Sequence, residues 1–199
     1  MICKPGFNDY NLFYKETKRL EIVWNETRKG TPMNNINIKL LSDTLTVRKL
    51  HATDADLIYN LCADNQLFYQ YHPPFVTRES ILQDMEALPP GKDASDKFYV
   101  GFFDEEVLVA VLDLILDYPV KGTDFIGFFM MNAGWQGRGA GSKIIQECIA
   151  YLKTTGCRKI RLGVDKGNPQ SNAFWQKNGF HIVEEGKYIL MAQEILPPD

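Results

Sequence analysis

The sequence has little material for a disulfide framework or a metal site. Its four cysteines are scattered over 199 residues, none forms a Cys-x-x-Cys pair, and there are only three histidines. We therefore expect neither structural disulfides nor a metal. The sequence also lacks an apolar run near the roughly 20 residues that span a bilayer, and its first residues are polar and aromatic, unlike a secretory signal. These absences predict a cytoplasmic protein that does not associate with membranes.

Charge is balanced overall but unevenly distributed. The chain carries 22 Lys and Arg against 25 Asp and Glu, a net charge of −3, and 45% of its residues are hydrophobic. Such values are typical of a globular protein with one core, and they exclude a disordered or fibrous chain. Residues 135–161 nevertheless contain six cations and a single acid, Glu147. A local basic zone in an acidic protein favours a small polyanionic ligand over a nucleic acid.

Composition shifts once along the chain, near residues 30–32. The segment before this point has a net charge of +2, and the remainder has a net charge of −5. We interpret residues 1–32 as an N-terminal appendage, packed on the domain or partly extended. Residues 33–199 are then expected to form one domain.

From residue 45 onward, the hydrophobic pattern alternates between strands and helices. It predicts strands at residues 45–50, 97–103, 107–116, 124–131, 160–164, 180–184 and 188–194. It predicts helices at residues 55–63, 77–88, 142–155 and 170–177, and an aromatic turn region at residues 68–75. Antiparallel strands early and a strand-helix-strand crossover late predict an α/β fold, a mixed, mostly antiparallel central sheet flanked by helices.

The most informative segment is the glycine-rich turn at residues 135–142, placed between a strand and an amphipathic helix. Glycines at alternate positions leave backbone N–H groups accessible, and the helix N-terminus adds partial positive charge, so the turn can bind phosphate oxygens. A Walker A loop is excluded because Ser142 separates Gly141 from Lys143. A dinucleotide fingerprint fits poorly, since Ser142 occupies its third glycine position and only one crossover unit is present. A tight turn with no ligand is the remaining alternative.

The turn resembles the acyl-CoA signature Gln/Arg-x-x-Gly-x-Gly/Ala of the GNAT N-acetyltransferase superfamily, with Gln136, Gly139 and Gly141 at the signature positions. The family's next landmark, an Asn-rich turn and a short helix ending in Gly-Phe, corresponds to residues 168–180. The order of strands and helices extends the resemblance back to residue 45, whereas residues 1–32 have no counterpart. The resemblance implies a GNAT-like acyl-CoA N-acyltransferase fold and the use of acetyl-CoA.

The resemblance also implies which residues contact acetyl-CoA. It assigns the pantetheine arm to the backbone of Met130 and Met131 and the cofactor amides to Asn168, with Asn172 and Trp175 facing the cofactor. It assigns the pyrophosphate to the residues of the turn: Gln136, Gly137, Arg138, Gly139, Ala140, Gly141 and Ser142.

Trp175 stands where many relatives carry the tyrosine that protonates the CoA thiolate. An indole N–H is far too weak an acid for that role. The thiolate would therefore leave unprotonated, or take its proton from water or another donor. The other interpretation of Trp175 is a wedge that packs its helix on the sheet.

Two side chains are predicted to be catalytic, Asp113 and His72. Asp113 and Asp117 are expected on one face of a single strand, and Asp113 interrupts a strand that is otherwise apolar, so it must be paired or functional. A plain salt bridge is the alternative for Asp113. His72 follows an aromatic segment between the first two helices, where the family builds its acceptor pocket. Asp124, at the start of a strand, is expected to be solvated.

Together these features predict an acetyl-CoA-dependent N-acetyltransferase that transfers an acetyl group directly to a primary amine in a ternary complex. The acceptor, a small-molecule amine or a peptide amine, stays open, as does the choice between monomer and homodimer. No nucleic-acid partner is expected. Two alternatives stay open as well: a non-catalytic acyl-CoA-binding or sensing module, and an acyltransferase that acts on a hydroxyl or transfers a longer acyl group.

Overall fold

The computed structural model of the chain describes residues 36–195, and the predicted appendage at residues 1–32 lies outside them. In the described part, seven strands form one sheet: β1 (Thr46–Lys49), β2 (Lys97–Asp104), β3 (Val107–Ile115), β4 (Thr123–Met131), β5 (Lys159–Asp165), β6 (His181–Glu185) and β7 (Tyr188–Glu194). Five α-helices accompany it: α1 (Ala55–Ala63), α2 (Gln66–Tyr71), α3 (Arg78–Glu86), α4 (Ala140–Thr154) and α5 (Pro169–Lys177).

The strand order is β1-β2-β3-β4-β5-β7-β6. Among these neighbours only β4 and β5 are parallel, and the other pairs are antiparallel. The predicted mixed, mostly antiparallel α/β fold is therefore confirmed. Almost every residue of β3 and β4 is buried. Because successive side chains of a strand point to opposite faces, both faces of the sheet are covered at its centre.

The parallel ladder between β4 and β5 is short. It joins residues 123–126 to residues 159–162. Beyond this point β4 continues to Met131 along β3, and β5 continues to Asp165 along β7. The carboxyl-terminal parts of β4 and β5 are thus joined to their outer neighbours and not to each other. Both strands end at the same edge of the sheet, since they are parallel.

Local sequence signals set the helix ends. Thr77 caps α3: its hydroxyl accepts from the N–H of Ser80 at 3.0 Å, and the Ser80 hydroxyl accepts from the N–H of Thr77 at 3.1 Å. α4 begins directly after Gly139 and buries one apolar face. Pro169 occupies the first position of α5, where its missing N–H costs no hydrogen bond.

The predicted strands and helices agree with the observed ones within two residues at each end, and two other predictions are wrong. Residues 66–71 form α2 rather than a turn, because burial of Phe68 and Tyr69 stabilises a helix that the local sequence does not favour. Asp117 lies beyond the end of β3 in a turn, with φ of +51°, so it does not share a strand face with Asp113.

Candidate active site

The glycine turn joins the end of β4 to α4. Gly137 and Gly139 have φ values of +75° and +83°, in the left-handed region that glycine adopts most readily. Apart from the glycine itself and its two chain neighbours, no heavy atom of the described residues lies within 4 Å of a Cβ built at either position. The turn therefore presents bare backbone N–H groups directly before the N-terminus of a 15-residue helix. Such an arrangement has the geometry and the partial positive charge that phosphate oxygens require.

An open cavity of about 180 Å³ lies beside this turn. The turn and the start of α4 form one wall, α5 forms another, and the end of β4 contributes Met131. Arg138 and Ala140 belong to the turn without being part of the lining. The cavity brings together six residues that were predicted to contact the cofactor: Met131, Gln136, Gly137, Gly139, Gly141 and Ser142.

One side of α5 lines the cavity, and the cofactor contacts predicted for Asn172 and Trp175 stay predictions. Gln170, Phe174 and Lys177 line it, and their spacing of four and three residues places them on one side of the helix. Asn172 and Trp175 are not among the lining residues. The family resemblance does not indicate these three lining residues. The sequence does contain a signal for them, because the helical period groups them on one side of α5.

Asn168 and Asn172 take part in the start of α5. The Asn168 Oδ1 accepts from the N–H of Ser171 at 3.0 Å, and the Asn172 Nδ2 donates to the Asn168 carbonyl at 2.8 Å. Asn168 is therefore the N-cap of the helix, and its own Nδ2 is buried with no acceptor among the described residues. A buried donor of this kind has hydrogen-bonding capacity left for a ligand carbonyl.

Trp175 fills the space between α5 and the sheet. It is 0% exposed, and its ring centroid lies 5.0 Å from that of Phe174, 5.1 Å from that of Phe180 and 5.9 Å from that of Phe129. This aromatic environment fits the packing wedge. The indole Nε1 is buried as well, and it finds no acceptor within residues 36–195.

The Gln136 side chain anchors the turn. Its Nε2 donates to the Asn65 Oδ1 at 2.6 Å and to the Met131 carbonyl at 3.2 Å. The Asn65 Nδ2 donates to the same carbonyl at 3.0 Å. These bonds tie the glycine turn to the residue before α2 and occupy the Gln136 Nε2. Sequence reasoning missed Asn65, which lies 71 residues away from Gln136.

Three cations surround the cavity. Lys177 lines it, Arg138 is exposed at the tip of the turn, and Lys143 is exposed one turn into α4. The Lys143 Nζ lies 3.9 Å from a Glu147 carboxylate oxygen, a distance at which an exposed pair interacts weakly in water. Lys177 thus places one cation in the cavity lining, and Arg138 and Lys143 of the predicted basic zone lie on the turn and the helix that form one wall.

Asp113 forms a buried ion pair. Its Oδ2 lies 2.7 Å from the Lys97 Nζ, and both side chains are 5% exposed. Asp113 pairs with Phe128 next to a bulge in β4, close to where the ladder with β5 ends. The salt bridge that was the alternative for Asp113 is therefore present. A catalytic role for this carboxylate stays a prediction.

His72 lies directly after α2 and contacts the end of β5. Its Nδ1 is 3.1 Å from both carboxylate oxygens of Asp165. The side chains of His72 and Asp165 are 14% and 9% exposed. Sequence reasoning named His72 and missed Asp165, because 93 residues separate the two and no local pattern connects them.

The expectation that Asp124 is solvated is wrong. It is buried at the start of β4, beside Ile160 of β5, and its Oδ1 accepts from the N–H of Asp117 at 3.0 Å. Burial raises the pKa of Asp124 from 3.8 to about 6. Because the folded state binds this proton more tightly than the unfolded chain, the resulting stabilisation is fully present below about pH 4 and is lost as the pH rises through about 6.

Two further observations concern residues 36–195 only. No helix in this part of the chain is both long and apolar enough to cross a membrane. The same residues contain no cluster of three or more His, Cys, Asp or Glu side chains that could hold a metal ion.

Three solved acetyltransferases share this fold at low sequence identity. One from Thermus thermophilus is 24% identical with a TM-score of 0.64, over 76% of this chain and 97% of that one. The PaiA N-acetyltransferase of Thermoplasma acidophilum, solved with coenzyme A, is 17% identical with a TM-score of 0.58, over 75% and 98%. A phosphinothricin acetyltransferase of Sinorhizobium meliloti, solved with acetyl-CoA, is 15% identical with a TM-score of 0.55, over 76% and 89%.

The sequence itself identifies the family. No curated protein matches the chain significantly. The profile of the acetyltransferase (GNAT) family, however, matches residues 58–180. This match extends from α1 through the glycine turn to the Gly-Phe after α5, and it covers more than half of the chain. The chain therefore belongs to the acetyltransferase (GNAT) family.

Proposed function

We propose that the protein is an N-acetyltransferase that transfers an acetyl group from acetyl-CoA to a primary amine in a ternary complex. One observation carries the donor: the bare glycine turn lines a cavity at the edge where β4 and β5 are no longer paired. The relatives solved with coenzyme A and acetyl-CoA support the same donor. The acceptor is a small-molecule or peptide amine, and the protein acts as a monomer or a homodimer.

The residues of the cavity fit the parts of acetyl-CoA. The pyrophosphate is bound by the backbone N–H groups of residues 137–142, and the cations around the cavity contribute charge. The pantetheine arm follows the backbone of Met130 and Met131. Its amide carbonyls accept hydrogen bonds from the buried Asn168 Nδ2 and Trp175 Nε1, whose need for acceptors is thereby met.

The proposed reaction requires that the two substrates be positioned together and that one base accept the amine proton. The amine nitrogen attacks the thioester carbonyl carbon, a C–N bond forms, and the C–S bond breaks with its electron pair moving to sulfur. A free thiol has a pKa of about 8.5, so the thiolate can leave at neutral pH without an acid at Trp175. The amine must lose its proton, and Asp113 and His72 are the proposed groups at the acceptor side.

A non-catalytic acyl-CoA-binding module is the second candidate. It is favoured by the ion pair that occupies Asp113 and by the tryptophan at the place of the usual acid. Both candidates require the same cavity, so binding of CoA alone does not separate them.

Turnover separates the candidates. Purified protein is incubated with acetyl-CoA and a panel of alkyl amines, aryl amines, polyamines and peptides, and released thiol is measured together with the mass of the product. We expect thiol release that depends on an amine and a product heavier by one acetyl group. Alcohols and longer acyl-CoA esters in the same assay test the two other acyl-transfer alternatives. Tight CoA binding without turnover of any acceptor would contradict the enzyme and support the module.

A further inference from the structure

α2 contacts the ends of both β4 and β5, the two parallel strands whose pairing stops before these ends. On its N-terminal side, the Asn65 Nδ2 donates to the carbonyl of Met131, the last residue of β4. On its C-terminal side, His72 contacts Asp165, the last residue of β5. Both ends of α2 are therefore hydrogen-bonded to the sheet edge where β4 and β5 end, beyond the point where these two strands are paired with each other.

The imidazole of His72 is held in one orientation by two contacts. Its ring stacks on the buried ring of Phe68, with centroids 5.1 Å apart and an angle of 16° between the planes. Its Nδ1 is equidistant, at 3.1 Å, from both oxygens of Asp165. Within residues 36–195, Asp165 is the only polar partner of the ring. The Nε2 is therefore the ring nitrogen left for chemistry.

Asp113 and Asp165 differ in the side chain that each carboxylate contacts. The Asp113 Oδ2 accepts a hydrogen bond from the buried Lys97 ammonium at 2.7 Å, so a donor of the protein already occupies this oxygen. Asp165 instead faces the imidazole of His72. A carboxylate that accepts from the Nδ1–H of a histidine fixes the tautomer whose Nε2 is unprotonated, and it stabilises the imidazolium that forms when the Nε2 takes a proton.

From this geometry we infer that Asp165 is a positioning residue that holds His72 as the base of the transfer. The inference rests on the proposed function. When the amine nitrogen forms its bond to the thioester carbon and the C–S bond breaks, the amine proton moves to the His72 Nε2, and the electron pair of the broken bond stays on the thiolate. The imidazolium then releases the proton to solvent. Asp165 keeps its charge throughout, since it never takes the proton.

The test compares Asp165→Asn, His72→Gln and the double variant with the wild type. Loss of the base should lower kcat by about 10² to 10⁴-fold in His72→Gln, and Asp165→Asn should lower it by at least about 10-fold, because an amide can bind either tautomer. The affinity for CoA should stay unchanged in both. Because the two residues act as one unit, the double variant should be no slower than His72→Gln alone. Asp54→Asn is the matched control: it removes a carboxylate of similar exposure, 14%, from its pair with Arg48.

A spectroscopic measurement tests the positioning without turnover. In the wild-type protein, the ¹⁵N chemical shifts of the His72 ring should show the proton on Nδ1, and in Asp165→Asn they should show loss of that single tautomer. If the pair were purely structural, the substitutions would lower the free energy of unfolding and leave kcat per folded molecule unchanged. This result would overturn the inference. A proton on the Nε2 in an active wild type would overturn both the positioning by Asp165 and the transfer of the amine proton to the Nε2. A wild type that acetylates no amine would overturn the proposed function and, with it, the base.

Discussion

Gly139→Ala adds one methyl group to the glycine turn and so tests whether the turn binds the pyrophosphate of CoA. Gly139 lines the cavity, and a Cβ built there meets no heavy atom of the described residues within 4 Å. The new methyl group would therefore enter the space assigned to the phosphate oxygens without touching the protein. Gly91 offers a matched control, since its φ is +79° against +83° for Gly139 and its Cβ also meets nothing within 4 Å. Gly91 lies between α3 and β2, outside the cavity lining.

The two substitutions should cost the same stability and differ in binding. Each places an L-residue in the left-handed region, which costs about 1–2 kcal/mol of the free energy of unfolding. Only Gly139→Ala should also weaken CoA binding. Displacing a phosphate oxygen from one backbone N–H forfeits a charge-assisted hydrogen bond of about 1.5–3 kcal/mol, which corresponds to a rise in Kd of about 10- to 150-fold.

Two measurements decide the outcome. Titration calorimetry with CoA gives the Kd of the wild type and both variants, and urea unfolding gives their stability. If Gly139→Ala binds CoA as the wild type does, the turn does not hold the pyrophosphate. If Gly91→Ala weakens binding to the same extent, the effect comes from lost stability, and the assignment of the phosphates to the turn is refuted.

Three further substitutions test interior residues. Trp175→Phe keeps a buried ring but removes the Nε1–H, so kcat/KM should fall about 10-fold, which is about 1.4 kcal/mol; unchanged kinetics would leave only the packing role. Asp113→Asn leaves the Lys97 ammonium buried without its carboxylate, so the free energy of unfolding measured in urea should fall by about 3–5 kcal/mol. The double variant Asp113→Asn/Lys97→Met should recover stability, and its failure to do so would contradict this reasoning. Asp124→Asn should remove the contribution of Asp124 to the pH dependence of unfolding, about 3 kcal/mol between pH 4 and 7, since an amide stays neutral. An unchanged pH dependence of unfolding would refute the effect of burial.

The parts of the fold that follow from short-range patterns could be predicted from the sequence. The apolar runs of β3 and β4 match their burial on both faces, and the apolar stripe of α4 matches its buried side. The glycine turn is local as well, because backbone conformations with positive φ depend on the residues that adopt them. These features need no knowledge of what lies across the sheet.

The features that depend on distant partners could not be predicted in the same way. α2 has only six residues, too few for a stable helix in isolation, and Pro73 and Pro74 directly after it indicate a turn. It forms because Phe68 and Tyr69 are buried and because Asn65 is bound to the end of β4. Asp124 shows the same limit, since its burial follows from β5 and the Asp117 turn and not from its own sequence neighbours.

The two acids near the proposed site show what a sequence can and cannot say about a catalytic group. An acid inside an apolar strand must have a partner, and this argument correctly singled out Asp113. The partner then decides the environment of each acid: a buried ammonium contacts Asp113 within the sheet, whereas an imidazole contacts Asp165 at the end of β5. Which partner each acid receives depends on strand register and on the position of α2, and both are properties of the folded chain. For the proposed transferase, the identity of the base is therefore a question about tertiary contacts.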